Sequence, residues 1–154
     1  MESFKYGEQL VKAYLESKGI EVIDVSSNPN YWSKDIDFIA KPSELAPYTL
    51  EVKWDNRIAD TGNMYLELTT NCATQERGWF TYTEADYLFY GDSRSHKVYI
   101  FNMMELRQWV KENEGYLRLK RAPDYDYYGN FKKDSLGFLL PLKKVIGNCK
   151  TITV

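Results

Sequence analysis

Histidine and cysteine are scarce in this chain: one His and two Cys among 154 residues. His96 lies in a polar stretch beside Arg94 and Lys97. A lone imidazole there argues against a multi-histidine metal site and against serine–histidine catalysis. Cys72 and Cys149 stand far apart, with no paired spacing for zinc or redox work. Such thiols fit a reducing cytoplasm, where both are expected to be plain and buried. No apolar run approaches the length of about 20 residues that a membrane span needs. Met1 to Tyr6 lack the basic and apolar regions of a secretory leader. Internal repeats, low-complexity tracts and linkers are missing too. One domain over residues 1–154 is therefore expected, long enough to bury a real core. Nor is there a surplus of positive charge: the net charge is -2 and the pI near 5.5, which excludes a uniformly basic surface.

What is present is unevenly placed. Residues 1–106 carry 10 Lys+Arg against 17 Asp+Glu, whereas residues 107–154 carry 10 against 5. An acidic body beside a basic C-terminal third suits a cation site next to a phosphate-contacting surface, or simply a solvated basic face. Aromatic residues are abundant at 16%, led by 13 Tyr.

Hydrophobic spacing gives the element order. Residues 3–18 read as an amphipathic helix with Phe4, Gly7, Val11, Tyr14 and Leu15 on one stripe, closed by Gly19. Glu8 falls at the border of that stripe, half-buried. Residues 20–26 alternate as a strand, and Asn28-Pro29-Asn30 is a turn. Two more strands follow, then a polar stretch ending in the Thr61-Gly62-Asn63 turn. Met64–Thr70 alternates again, and Cys72–Trp79 reads as a short helix closing near Gly78. Ala85–Tyr90 and Lys97–Asn102 read as strands separated by a Gly91-Asp92-Ser93 loop. Asn102 with Glu105 forms a capping-box pattern ahead of a helix burying Met103, Leu106 and Val110. Tyr116–Lys120 and Leu136–Leu142 read as strands flanking a polar, Tyr-rich loop. A mixed sheet with helices packed against it is expected: an α/β domain.

The richest stretch runs from Lys34 to Lys53. Lys34–Ala40 and Thr49–Trp54 each read as a strand, joined by a loop with Pro42 and Pro47 that reverses the chain. Successive strand side chains point to opposite faces. Glu51 and Lys53 thus share one face, and Leu50, Val52 and Trp54 the other. Asp37 opens an apolar run, so it sits where its strand enters the core. Asp37, Glu51 and Lys53 can then converge, two carboxylates and an ammonium at a sheet edge. Magnesium binds through one or two carboxylates plus substrate phosphate. A bound cation acidifies water and offsets charge developing on phosphate. Lys53 can orient or deprotonate that water or pair with the oxyanion. Glu-x-Lys by itself is weak: with 12 Glu and 14 Lys, about one copy is expected by chance. A second copy, Glu16-Ser17-Lys18, lies on the predicted helix, where positions two apart diverge by about 200°. It cannot make a site.

The pattern Asp37…Glu51-x-Lys53, on strands after a helix bearing Glu8, resembles the PD-(D/E)XK nuclease superfamily. Asp55, Thr61-Gly62-Asn63 then Glu67, and Gly78-Trp79 then Ala85-Asp86-Tyr87 are similar to its phage and bacterial members. The resemblance covers roughly residues 3–102. It implies a restriction-endonuclease-like mixed β-sheet flanked by helices (an αβββαβ core), set here at about 3–114, with a basic C-terminal β extension over about 115–154. It implies Asp37 and Glu51 as ligands of Mg²⁺ or Mn²⁺, Lys53 as the water-activating lysine, and Glu8 as a helix glutamate beside the metal. Glu67 and Asp35 are further possible ligands, and Gln75 matches a helix position that varies among members. Ile36 stands where a proline often precedes the aspartate. The function implied is a Mg²⁺-dependent endonuclease hydrolysing phosphodiester bonds in DNA, with Arg118, Lys120, Arg121, Lys132 and Lys133 gripping phosphates. The alternatives are an RNA endonuclease, since the catalytic trio does not read the sugar, and a nuclease-fold nucleic-acid-binding protein without turnover. A homodimer suits two-strand cutting. The Tyr125–Tyr128 cluster with Lys132 and Lys133 fits base stacking and phosphate contact, or a sticky surface loop.

Overall fold

The computed structural model describes residues 3–154. Met1 and Glu2, included in the expected 1–154 domain and in the leader reading, lie outside them. The first helix, α1 (Ser3–Ser17), leads to β1 (Glu21–Asp24), α2 (Pro29–Trp32), β2 (Phe38–Lys41) and β3 (Tyr48–Asp55). Next come α3 (Ile58–Thr61), β4 (Asn63–Asn71), β5 (Glu76–Arg77), α4 (Trp79–Tyr82), β6 (Tyr87–Asp92) and β7 (Lys97–Asn102). The chain closes with α5 (Met103–Asn113), β8 (Arg118–Tyr125), β9 (Phe131–Pro141), α6 (Leu142–Val145) and β10 (Lys150–Thr153). No helix among the described residues is long and apolar enough to cross a membrane.

The α/β expectation matches this mixed architecture of two sheets and helices. The larger sheet has the order β1-β2-β3-β6-β7-β10. Only β3 and β6 run parallel; every other neighbour in it is antiparallel. The smaller sheet, β5-β4-β9-β8, is antiparallel throughout. Residues 115–154 are woven into both, because β9 pairs with β4 while β10 returns to the edge of the large sheet beside β7.

Alternation on β3 sets the layers. Leu50 and Val52 face α1, packing with its Val11 and Leu15 and with Phe38, Ala40, Phe89 and Val98. Leu88, Tyr90 and Phe101 turn to the opposite face, where Met64, Leu66, Leu140, Met103, Leu106 and Val110 complete the larger core. Burying each such large side chain contributes about 1.5–3 kcal/mol. Asn102 caps α5 as its sequence suggests, its side chain accepting from the Glu105 N–H at 3.0 Å.

Several local expectations are corrected. The second strand starts at Phe38, since Asp35 adopts a left-handed φ of 52° and breaks an extended run from Lys34. The Cys72–Trp79 segment is a turn followed by β5, and Gly78 precedes α4 instead of ending a helix. Pairing with β4 overrides the helix-forming composition there. Gln75 sits in that turn with φ 59°, its amide donating to the Cys72 carbonyl, so no helix presents it. Gly91 and Asp92 continue β6 instead of forming a loop. Phe4 is 51% exposed, outside the stripe that buries Gly7, Val11 and Leu15. Cys72 and Cys149 are free and only half-buried. The Tyr-rich loop is short, because β8 and β9 extend almost to its tip.

Candidate functional site

The site arises where β3 outruns β2. Their register ends at Phe38↔Leu50, so Glu51 to Asp55 continue beyond the start of β2. The Asp37 side chain covers part of the gap: its Oδ2 accepts the Val52 N–H at 2.8 Å, while its own N–H donates to the Leu50 carbonyl. Asp37 thus extends the ladder with a side chain and is held beside Glu51 and Lys53. On β3 those two share a face as alternation requires, and Lys53 Nζ meets Glu51 Oε1 at 2.6 Å. Lys53 Nζ also lies 3.9 Å from Asp35 Oδ2 and 5.2 Å from the centre of the Trp79 ring. Glu8 reaches in from α1 and hydrogen-bonds Asp37.

These groups line one cavity of about 520 Å³ with Lys5, Ser26 and Ser27. Glu8, Asp35, Asp37, Glu51 and Lys53 are therefore brought together. Lys5 and the Ser26-Ser27 pair were not singled out from the sequence. The signal for Lys5 was its place three residues before Glu8, on the same helix face.

Burial sets the electrostatics. Glu51 is 1% exposed, and that desolvation pushes its carboxyl well up, with Lys53 opposing and Asp37 and Asp35 adding to the rise. Glu8 is raised from 4.5 to about 8, by desolvation first and then by the Asp37 charge. Asp37 is raised by burial against the pull of the Val52 N–H. Lys53 is raised: burial alone would lower it, but the Glu51, Asp35 and Asp37 carboxylates outweigh that effect. Four acids thus share the cavity with the Lys53 and Lys5 ammonium groups.

Among the described residues no group of three or more His, Cys, Asp or Glu is arranged to hold a metal ion. Lys53 occupies Glu51 Oε1, the Val52 N–H occupies Asp37 Oδ2, and Glu8 is bonded to Asp37. Yet Glu51 Oε2 and Asp35 Oδ2 are buried without a hydrogen-bond partner. Buried oxygens of this kind are rare and call for a missing donor or ion. Magnesium, which binds through one or two carboxylates and keeps several waters, needs no trio of acids. The donor set therefore fits Mg²⁺ or Mn²⁺.

Glu67 lies on β4, outside the cavity. Burial raises its carboxyl, against the charges of Lys53 and Lys133. Asp55 serves the backbone, accepting from the N–H groups of Arg57 and Ile58 and from the Tyr90 hydroxyl. The basic residues Arg118, Lys120, Arg121, Lys132 and Lys133 all lie on the β8–β9 hairpin, away from the cavity lining. Arg121 pairs with Asp134 at 3.7 Å and Lys132 with Asp124 at 3.8 Å, whereas Lys133 donates to the Thr70 hydroxyl. Arg118 and Lys120 make no ion pair among the described residues. In comparisons with known proteins, no family model, no curated protein and no solved structure matches this chain.

Proposed function

We propose that this protein is a Mg²⁺- or Mn²⁺-dependent endonuclease hydrolysing phosphodiester bonds in DNA, on a core of the restriction-endonuclease-like kind. The observation that carries the reading is the pair of unpartnered buried oxygens, Glu51 Oε2 and Asp35 Oδ2, beside the Lys53 ammonium. The three antiparallel strands after α1, followed by a parallel step from β3 to β6, support the same fold reading. In it, Asp37 and Glu51 hold the cation, with the Asp35 carboxylate beside them. When bound, the cation supplies charge neutralisation and a more acidic water.

The chain's own groups do the rest. Lys53 carries its proton firmly, because acids surround it. Its ammonium is placed to orient water or a phosphate oxygen. Glu8 keeps a proton at neutral pH and uses it to hold Asp37 in place. Lys5 and the Ser26-Ser27 hydroxyls line the same cavity and offer phosphate contacts.

The Lys53–Glu51 pair at 2.6 Å favours one second reading, a nuclease-fold protein that binds nucleic acid without turnover. A panel of labelled duplex, tailed, junction and single-stranded DNA and RNA, with and without Mg²⁺ or Mn²⁺, separates the two. The nuclease reading predicts metal-dependent cuts in DNA that vanish in Glu51→Gln and in Lys53→Ala. Cleavage that survives both substitutions rejects the site. Metal-independent binding with no cut in any substrate selects the second reading.

A further inference from the structure

We infer that the tip of the β8–β9 hairpin is a stacking platform for unpaired bases, making DNA with a single-stranded segment the substrate class; this deepens, and rests on, the nuclease reading. Four aromatic side chains crowd the tip and face solvent: Tyr125 is 56% exposed, Tyr127 97%, Tyr128 84% and Phe131 60%. Water-facing aromatics on this scale contribute nothing to the core. They are also held in place. Asp126 Oδ1 accepts the N–H groups of Tyr128 and Asn130, the Asp126 N–H donates to the Asn130 carbonyl, and Gly129 supplies the left-handed φ of 83°. Tyr125 and Phe131 meet edge-to-face across the strands, as do Tyr127 and Tyr128 at the turn. A turn fixed in this way presents ring faces with little ordering cost on binding.

Charge decides the partner. β8 is an edge strand whose residues are exposed except for half-buried Ala122, and it carries Arg118, Lys120 and Arg121. Lys132 and Lys133 start β9 next to Phe131. Rings followed by a cationic track are what a single strand requires, with stacking for bases and ammonium or guanidinium groups for phosphates. The arm leads back to β4. Gly137 of β9 pairs with Glu67 of β4, and Glu67 senses both Lys133 and Lys53. From Gly137 to Phe131, at ~3.4 Å per residue, the arm runs about 20 Å. Single-strand sites built from such rings and cations span about 4–16 nucleotides.

The test uses the Glu51→Gln protein, expected to bind without cutting, and labelled duplexes with tails from zero to about ten nucleotides. Affinity by fluorescence anisotropy is expected to rise with tail length over the first several nucleotides and then level off. Tyr127→Ala with Tyr128→Ala is expected to lower tailed-DNA affinity by about tenfold or more and blunt-duplex affinity little. Tyr127→Phe with Tyr128→Phe, which keeps both rings, is expected to retain it. All these positions are exposed, so circular dichroism and melting should match the parent. Affinity independent of tail length, or an unchanged tail effect in the alanine protein, overturns the platform. So does a tip that dimerises the chain in sedimentation while leaving DNA affinity unchanged. The same tailed duplexes with the wild-type protein and Mg²⁺ keep the two readings apart. Cleavage without a tail effect rejects the platform alone, whereas a ring-dependent tail effect without cleavage supports the platform and rejects the nuclease.

Discussion

Glu8, Asp37 and Glu51 are carboxyl groups whose burial makes ionisation costly, and all three are raised in the fold. A native-state pKa above the unfolded value means that the folded protein binds more protons in the window between the two. Stability conferred by the protonated acid is complete below the unfolded value and is lost as pH climbs through the folded one. For Glu8 that window runs from 4.5 to about 8. Melting temperature without divalent ions is therefore expected to fall from about pH 5 to about pH 8. Glu8→Gln, neutral throughout, is expected to flatten the fall, leaving the share due to Asp37 and Glu51. A pH profile identical to wild type would show that Glu8 does not titrate against Asp37. The Glu51–Lys53 couple was legible from alternation alone, because β3 is a regular strand. Asp35 was not: it comes within 3.9 Å of Lys53 through a left-handed turn, a conformation that no periodicity reports.

Among the elements, α1 carries a site residue directly after a packing residue. Gly7 lies against the Trp54 ring, and Gly91 presses on the same ring from β6. A Cβ at either glycine would collide with the indole, so α1 is seated on β3 by the absence of side chains. Gly7→Ala is expected to destabilise by about 1–3 kcal/mol, the usual cost of overpacking. It should also displace Glu8 from Asp37. Denaturant unfolding measures the first effect, and the loss of the pH-dependent melting described for Glu8 reports the second. An alanine protein with wild-type stability would show that the indole yields freely. Such contacts were hidden in the sequence, where Gly7 showed only as a member of the helix stripe. The strands of the β8–β9 hairpin were read in part, as Tyr116–Lys120 and Leu136–Leu142, but their place in the small sheet was hidden for another reason. The hairpin's strand β9 pairs with β4, more than sixty residues away at Tyr65↔Leu139, and long-range register leaves no local mark. By contrast, the Asn102 cap and the Met103, Leu106 and Val110 stripe of α5 depend on near neighbours and were readable.

At the scale of the whole molecule, charge is partitioned: the acidic cavity lies in the large sheet and the basic arm projects from the small one. A net charge of -2 conceals this division. Within the arm, Arg121 and Lys132 are engaged by Asp134 and Asp124, whereas Arg118 and Lys120 are free of ion pairs among the described residues. Phosphate contacts should therefore depend more on the free pair. Arg118→Ala and Lys120→Ala are each expected to weaken DNA binding and to reduce the slope of log affinity against log salt by about one. Arg121→Ala should do less. Equal effects from all three, or binding insensitive to salt, would place the DNA elsewhere on the surface.

The central claim is that the cavity bounded by Asp35, Asp37 and Glu51 seats a divalent cation. The most direct measurement is a Mn²⁺ titration followed by electron paramagnetic resonance at about pH 8, where Glu8 gives up its proton. Wild type is predicted to bind Mn²⁺, and Glu51→Gln to bind it more weakly by about tenfold or more. Equal binding by the two proteins, or no bound Mn²⁺ at millimolar concentration, would contradict the account.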